Sequence, residues 1–398
     1  MWDDIKRQIE NGDYKYAKLL LEREKKHLNN YDDTFAVLEA SICEAEGNLE
    51  EMFCAIAKGL AFNPVNCELY YMLGRLYYST NPNQAMLCFE NAMLYSDSQE
   101  DRNTIQLEME TLRQSYDITV QDTVIVIVSY NSQYLMEKNI QSIRNTLLKG
   151  TYKIVVVDNA SDDGVAEWLE EQKDIVLIRN KENKGFPCAC NQGVTATLGT
   201  ENENNNIFLL NNDTRLAPNS LFWLRMGLYE NEKIGAAGSF SNYAGNNQQL
   251  HIDFTLPGEY LEYGAKMNIP LKTPYEERVR LSGFALLIRK SAWDLAGGMD
   301  EQFSPGYFED DDLCMQISRQ GFKLLLCKNS FIYHAGSQSF FQKENVNIIL
   351  QEHHKLFLDK YGFDILKYAA PDRSLPGEIP YNPEKELVLV SKWVGKVI

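Results

Sequence analysis

The chain has 398 residues, of which 44% are hydrophobic, and a formal net charge of −17. This length predicts two or three domains with sizeable cores, and the acidity argues against a nucleic-acid partner, which would need a basic surface. A small phosphorylated ligand stays compatible with the charge, because a divalent cation can bridge carboxylate and phosphate groups.

The cysteine pattern and the hydropathy of the sequence indicate the cellular compartment. The eight cysteines form no C-x-x-C pair, and Cys188 and Cys190 lack a second pair at zinc-site spacing. We therefore expect reduced, buried thiols. The N-terminus lacks the features of a signal peptide, and no run approaches the ~18 apolar residues of a membrane span. A soluble, cytoplasmic protein is expected.

Residues 1–118 are predicted to form an all-α domain of helical pairs. The second and third pairs begin at Asp33 and Cys67, about one tetratricopeptide period of 34 residues apart. The positions that agree with this repeat are Leu73, Gly74, Tyr77, Ala85, Phe89 and Ala92. The segment resembles a short, degenerate tetratricopeptide array, which implies a surface that docks a protein. A structural extension or a dimer contact is the alternative.

Residues 119–345 alternate buried strands with helices, which predicts a mostly parallel α/β sheet with helices on both faces. Three apolar strands end in polar side chains, and the carboxyl ends of parallel strands meet at one edge of a sheet, where ligands bind. These side chains are Ser129, Asn131, Asp158, Asn212 and Asp213. Lys184 and Gly185 open a helix that could meet a diphosphate.

The second half of this region supplies acids and a histidine. Residues 240–280 show weak periodicity and are predicted to be a long loop or hairpin region that lines a site. Glu309 and Asp310–Asp312 begin a helix, where crowded carboxylates raise one another's pKa and suit a proton acceptor. His334 closes an apolar strand and is either a structural residue or a metal ligand.

Several common enzyme classes are disfavoured by the motifs. The chain has no G-x-G-x-x-G after a strand, no G-K-[ST] phosphate loop and no G-x-S-x-G. A dinucleotide-binding Rossmann site, a P-loop enzyme and a serine hydrolase are therefore not expected. Residues 129–135 contain no glycine and no basic residue, which also disfavours a nucleotidyltransferase.

The order of the motifs resembles family 2 glycosyltransferases, especially the rhamnosyltransferase-like branch, over roughly residues 120–340. The motifs are Ser-Tyr-Asn at 129–131, Val-Asp-Asn-Ala-Ser-Asp-Asp at 157–163, Asn-Lys-Gly-Phe at 183–186, Leu-Asn-Asn-Asp at 210–213, Gly-Gly-Met-Asp-Glu-Gln-Phe at 297–303, Phe-Glu-Asp-Asp-Asp-Leu-Cys at 308–314, and His334. The resemblance implies the GT-A fold and an inverting, metal-dependent hexosyltransferase. Its donor would be a UDP- or dTDP-sugar and its acceptor a hydroxyl group on a protein or glycan.

The resemblance also implies roles for individual residues. Asp310 would be the general base, with Asp311 as the alternative. Asp213 and His334 would hold Mn²⁺ or Mg²⁺. The nucleotide would be bound by Ser129, Asn131, Asp158, Lys184 and Asn212. Asn211 stands where the family's metal motif often has a first aspartate, so one carboxylate replaces two.

A competing hypothesis is a scaffold protein that uses the helical repeats and has a degenerate transferase domain. Residues 346–398 are predicted to be a C-terminal helix and a tail, the third part of the chain. The adjacent His353 and His354 on this helix are expected at the surface, and residues 387–390 could add an edge strand.

Overall fold

The computed structural model describes residues 2–27, 32–131, 133–256, 258–336 and 343–367. These residues divide into two compact units. The first contains residues 2–120 and 265–273, and the second contains residues 121–264 and 274–367. The predicted edge strand at 387–390 lies outside the described residues. Within the described ranges, no helix is both long and apolar enough to cross a membrane.

Among the described residues, seven helices and no strand precede the strand Thr123–Ser129, in agreement with the predicted all-α region. They are α1 (Trp2–Glu10), α2 (Tyr14–His27), α3 (Asp33–Ala45), α4 (Leu49–Phe62), α5 (Cys67–Tyr77), α6 (Pro82–Tyr95) and α7 (Gln99–Ser115). The last five begin after a polar residue whose side chain accepts a hydrogen bond from the backbone N–H three positions on, which is why these helices start where they do. The capping residues are Asp32, Asn48, Asn66, Asn81 and Ser98.

Small residues let neighbouring helices of the first unit approach closely. A Cβ atom on Gly74 of α5 would lie 2.5 Å from the ring of Phe89 in α6. A Cβ atom on Gly59 of α4 would lie 2.5 Å from both Ala36 and Leu69. Glycine is therefore required at both crossings, because real Cβ atoms do not approach other heavy atoms this closely.

The second unit is built on one nine-stranded mixed sheet. Its strands are β1 (Thr123–Ser129), β2 (Tyr152–Asp158), β3 (Ile175–Arg179), β4 (Asn206–Leu210), β5 (Thr214–Leu216), β6 (Ile234–Phe240), β7 (Tyr275–Arg278), β8 (Ala285–Ile288) and β9 (Lys323–His334). The order is β3-β2-β1-β4-β8-β6-β9-β5, and β7 pairs with β9. The helices are α8 (Gln133–Thr146), α9 (Val165–Glu170), α10 (Phe186–Thr195), α11 (Ser220–Leu228), α12 (Glu259–Met267), α13 (Lys290–Ala296), α14 (Glu309–Arg319) and α15 (Lys343–Tyr361), with short 3-10 turns at Glu301–Phe303 and Ile365–Lys367.

The fold class predicted from the sequence, an α/β sheet with helices preceded by an all-α region, is confirmed. Strands β1 to β4 pair in parallel, as their apolar sequences predicted. Consecutive residues of β1 are almost fully buried, so both of its faces are covered. The other half adds antiparallel pairings of β8 with β4 and with β6, which makes the sheet mixed.

The region 240–280 contains two elements that its weak periodicity did not predict. Helix α12 and strand β7 lie within it, and β7 pairs antiparallel with β9. The pairing partner of β7 is far along the chain, so local sequence carries little information about it.

Candidate active site

A cavity of about 760 Å³ opens in the second unit at the ends of the central strands. Its walls come from the turns after β1 and β4, the 243–246 turn, the start of β8, residues 305–311 and helix α15. Of the residues predicted to form the site, Asn212, Asp213, Asp310, Asp311 and His334 line this cavity. They come from three distant stretches of sequence, which the sheet brings together.

Strand pairing places Asp213 beside His334. Strand β5 runs antiparallel to β9 with Thr214 opposite His334, and the backbone N–H of Ala335 donates to the carbonyl oxygen of Asp213 at 3.0 Å. The Nε2 atom of His334 lies 3.0 Å from Oδ1 of Asp213. Both side chains are largely buried.

The bonding of His334 fixes what its second nitrogen can do. The Nδ1 atom lies 2.7 Å from the carbonyl oxygen of Tyr243, and a carbonyl only accepts, so Nδ1 carries a proton and donates it. In a neutral ring, Nε2 then presents a lone pair to the carboxylate of Asp213. Two acceptors face each other at 3.0 Å, an arrangement that either a proton on Nε2 or a cation satisfies.

This pair fits a divalent cation that is completed by its substrate. Among the described residues, no group of three or more His, Cys, Asp or Glu side chains is arranged to hold a metal ion. Mg²⁺-like cations are often held by only one or two carboxylates, with phosphate oxygens and water filling the other positions. One carboxylate and one oriented imidazole therefore match a metal that binds together with a diphosphate.

Residues 283 and 284 connect this pair to the acidic helix. The N–H of Asn211 donates to the carbonyl oxygen of Phe284 at 2.8 Å, and the Phe284 ring stacks on His334 with centroids 5.3 Å apart. The N–H of Gly283 donates to Oδ2 of Asp310 at 2.9 Å. Two consecutive residues thus contact the Asp213–His334 side of the cavity and the Asp310 carboxylate on the other wall.

The first turn of α14 forms a crowded group of carboxyls. Burial raises the pKa of Asp310, and the N–H of Gly283 and the charge of Arg280 oppose this shift. Burial, with the charge of Asp310, raises the pKa of Asp311 to about 8. Burial raises the pKa of Glu309 well above its usual range, and its Oε2 has no hydrogen-bond partner. Burial therefore raises the pKa of Glu309, Asp310 and Asp311, a direction that makes a carboxylate a better proton acceptor.

The partners of the three aspartates separate them. Asp311 lies 3.1 Å from the guanidinium of Arg280. Asp312 accepts from the hydroxyl of Tyr361 at 2.6 Å and does not line the cavity. Asp310 is the one whose carboxylate is held by a backbone N–H at the cavity wall, so its geometry best fits a group that meets a substrate.

The expectation that His353 and His354 are simple surface residues is wrong. His353 is buried, and its Nδ1 contacts the carbonyl oxygens of Gly306 and Tyr307 at 2.9 and 3.0 Å. His354 stacks on Phe308 at 5.4 Å and lines the cavity. Helix α15 packs against residues 303–308 of the same unit, and this long-range contact buries one face of the helix.

Four of the residues predicted to bind the nucleotide lie outside the set that lines the cavity. Ser129 and Asp158 are adjacent in the β1–β2 register, and both are buried. Asp158 accepts from the N–H and the hydroxyl of Ser161. Asn131, which follows β1, accepts from the N–H of Asp162 in the turn after β2 at 2.7 Å, and Lys184 is exposed.

Other lining residues were not singled out from the sequence. Tyr130, Asn159, Phe284 and Tyr307 are four of these, while Tyr243, Asn246 and Arg280 belong to the region 240–280 that was predicted to line a site. Tyr130 and Asn159 directly follow β1 and β2, so the rule that ligands meet strand ends could have found them. Arg280 carries no local pattern, because its partner Asp311 is distant in sequence.

Comparison with known proteins shows which family the central part of the chain is similar to. Residues 124–296, less than half of the chain, match the family model described as Glycosyl transferase family 2. The matched residues include Asp213, while Asp310 and His334 lie beyond the match.

Two curated relatives align with parts of the chain. The uncharacterized protein y4gI of Sinorhizobium fredii is 22% identical over 235 residues, which are 54% of this chain and 24% of that protein. The uncharacterized glycosyltransferase YfnE of Bacillus subtilis is 29% identical over 112 residues, which are 27% of each protein. The chain thus spans about a quarter of the length of these relatives.

Two solved structures resemble the chain at low sequence identity. One is GalNAc-T7 with UDP, GalNAc and Mn²⁺, with 16% identity, a TM-score of 0.49, and coverage of 70% of this chain and 55% of that one. The other is the mannosyltransferase PcManGT from Pyrobaculum calidifontis with GDP-Man and Mn²⁺, with 15% identity, a TM-score of 0.43, and coverage of 79% and 84%.

Proposed function

We propose that the chain is an inverting, metal-dependent glycosyltransferase that moves a hexose from a UDP- or dTDP-sugar to a hydroxyl acceptor on a protein or glycan. One observation carries the proposal. A single cavity, in a unit that contains the residues matching the family 2 model, holds the Asp213–His334 pair and the carboxylate of Asp310, joined through residues 283 and 284.

On the donor side, Asp213 and His334 are the residues that would hold Mn²⁺ or Mg²⁺. The bound cation would neutralise charge that develops on the departing diphosphate. The Nδ2 atom of Asn212 is buried without a hydrogen-bond partner, so it is free to donate to a phosphate oxygen. Ser129, Asn131, Asp158 and Lys184 lie outside the cavity lining, and their proposed role in binding the nucleotide is supported by the motif order alone.

On the acceptor side, Asp310 would take the proton from the attacking hydroxyl. The Gly283 N–H binds one oxygen of Asp310 and orients the carboxylate. Attack on the anomeric carbon from the face opposite the diphosphate inverts its configuration. The motif order supports a rhamnosyltransferase-like branch, for which dTDP-rhamnose is the first donor to assay.

The decisive experiment is thermal stabilisation of the full chain by UDP or dTDP, with and without Mn²⁺. We expect the nucleotide to raise the Tm only when Mn²⁺ is present, because one carboxylate and one imidazole need the diphosphate to complete the metal's ligands. No stabilisation by either nucleotide with Mn²⁺ would favour the scaffold hypothesis. None of the eight cysteines forms a disulfide bond, which supports the proposed cytoplasmic location.

We also propose that α3 to α6 form degenerate tetratricopeptide-like repeats that dock a protein acceptor or partner. The close packing of Gly74 on Phe89 supports this, since both positions agree with the repeat. Arg75 connects three helices by ion pairs with Glu44 at 3.0 Å and Glu108 at 3.7 Å, and it is well exposed. Arg75→Glu should raise the KM for a docked protein acceptor and leave UDP binding unchanged. An unchanged KM would count against docking at this face.

A further inference from the structure

The segment 300–312 carries the proposed base in an unusual backbone conformation. Tyr307 and Phe308, immediately before α14, have φ values of 72° and 69°. Such left-handed conformations are unfavourable for non-glycine residues and persist only where surrounding contacts enforce them. They aim the first turn of α14, with Asp310, at the cavity.

A single lysine of α15 contacts both ends of this segment. The Nζ atom of Lys360 lies 2.7 Å from Oδ2 of Asp300 and 2.6 Å from Oδ1 of Asp312. Asp312 is fully buried, and the Tyr361 hydroxyl donates to the same oxygen. Because two carboxylates share one ammonium, the ends of the segment are fixed relative to each other and to α15.

The middle of the segment is held by the same helix. The Nδ1–H of His353 is shared between the carbonyl oxygens of Gly306 and Tyr307. The Phe308 ring stacks on His354 and contacts Phe357. Helix α15 therefore touches the start, the middle and the end of the segment, although it lies outside the residues that match the family model.

We propose that Lys360 is a positioning residue that ties Asp300 to Asp312 and thereby sets the orientation of Asp310. The inference rests on the proposed function, in which Asp310 is the base. Lys360 does not line the cavity, so it acts through the segment and not on the substrate. Displacing a reacting group by about 1 Å can lower a rate by roughly 10²-fold, so a small movement of the segment is sufficient.

The fold retains other contacts that hold α15 in place without Lys360. Phe357 and Tyr361 pack with Phe303, Phe308 and neighbouring apolar side chains. The Nε2 atom of His354 lies 3.0 Å from Oδ1 of Asp364. Variants at position 360 should therefore keep the helix docked and loosen mainly the segment.

The test uses the full chain and three variants of the ion pairs that Lys360 forms with Asp300 and Asp312, which we call the clamp. Lys360→Met removes the ammonium, and Lys360→Arg keeps a cation. Asp300→Asn removes only the ion pair between Lys360 and residue 300. The Oδ1 atom of the asparagine can still accept from the N–H of Gln302. Lys355→Met is the matched control, because it removes the same charge from an exposed position of the same helix.

We expect Lys360→Met and Asp300→Asn to lower kcat by about 10- to 100-fold with UDP–Mn²⁺ affinity within about twofold of wild type. Lys360→Arg should restore most of kcat, and Lys355→Met should leave it unchanged. A kcat within about twofold of wild type in Lys360→Met, or equal losses in kcat and UDP affinity, would overturn the positioning role.

Hydrogen exchange makes the test independent of the reaction. Lys360→Met should speed amide exchange in residues 300–312 and leave residues 206–216 as in wild type. If amide exchange in residues 300–312 of Lys360→Met equals that of wild type, Lys360 does not hold the segment, even if sugar transfer is observed. Absence of transfer in wild type with every donor would refute the proposed function, and the exchange result would still decide whether Lys360 holds the segment.

Discussion

Asp310→Asn is expected to lower kcat for sugar transfer by about 10²- to 10⁴-fold, the usual contribution of a positioned base. The amide has nearly the same shape and can still accept from the Gly283 N–H, but it cannot take up a proton. The affinity for UDP with Mn²⁺ should stay near that of wild type. Initial rates of UDP release and calorimetric titration of UDP measure the two quantities separately.

Asp311→Asn is the matched control, one position further along the same helix. Its carboxylate faces Arg280, so we expect a much smaller loss of kcat. If Asp311→Asn were inactive and Asp310→Asn fully active, the base would be Asp311. If both variants were fully active, neither carboxyl would be the base.

The pH dependence of wild type gives a second measure of the same group. A base accepts a proton only when deprotonated, so transfer should rise with pH through the pKa of Asp310. Burial raises this pKa, which places the rise above the ordinary aspartate value of about 3.9. Arg280 lowers the pKa of Asp310, so Arg280→Met should move the rise to still higher pH. A rise at or below the ordinary value would contradict the assignment.

Asp213→Ala is expected to weaken Mn²⁺-dependent UDP binding by at least about 10- to 100-fold, because it removes the only carboxylate of the proposed metal pair. His334→Ala should have the smaller effect, since the carboxylate carries the charge. Calorimetric titration of UDP with and without Mn²⁺ provides a readout that does not depend on turnover.

The control for Asp213→Ala is Asp359→Ala, which removes an exposed carboxylate from α15 and should leave Mn²⁺-dependent UDP binding unaltered. Equal UDP affinity of Asp213→Ala and wild type at every Mn²⁺ concentration would remove Asp213 from the metal site. The stability of each variant to urea should be measured alongside, so that lost binding is not confused with unfolding.

Local sequence was sufficient where local bonds decide the structure. The predicted starts of the second and third helical pairs, at Asp33 and Cys67, agree with the structure because Asp32 and Asn66 cap the first turns of α3 and α5. Strands β1, β2 and β4 were also predicted, since apolar runs that end in polar residues suit a buried parallel sheet.

The pairings that assemble the candidate site could not be predicted in the same way. The contact between Asp213 and His334 depends on the register of β5 with β9, and β5 has only three residues. The burial of His353 depends on α15 packing on residues 306 and 307, which are remote in sequence. Such contacts are set by tertiary packing, which no local pattern records.

Gly185 has a consequence for building hybrids of this protein. Its φ is 82°, and a Cβ atom there would come within 3.0 Å of Ser304 and Pro305, while the N–H of Phe186 donates to the Pro305 carbonyl oxygen. The loop before α10 and the segment 300–312 are therefore in such close contact that the conformation of each depends on the other. A chimaera that takes residues 297–367 from a homologue should therefore also take the residues that correspond to 183–186. Otherwise a side chain at position 185 would clash with the residues at 304 and 305 and separate the two segments.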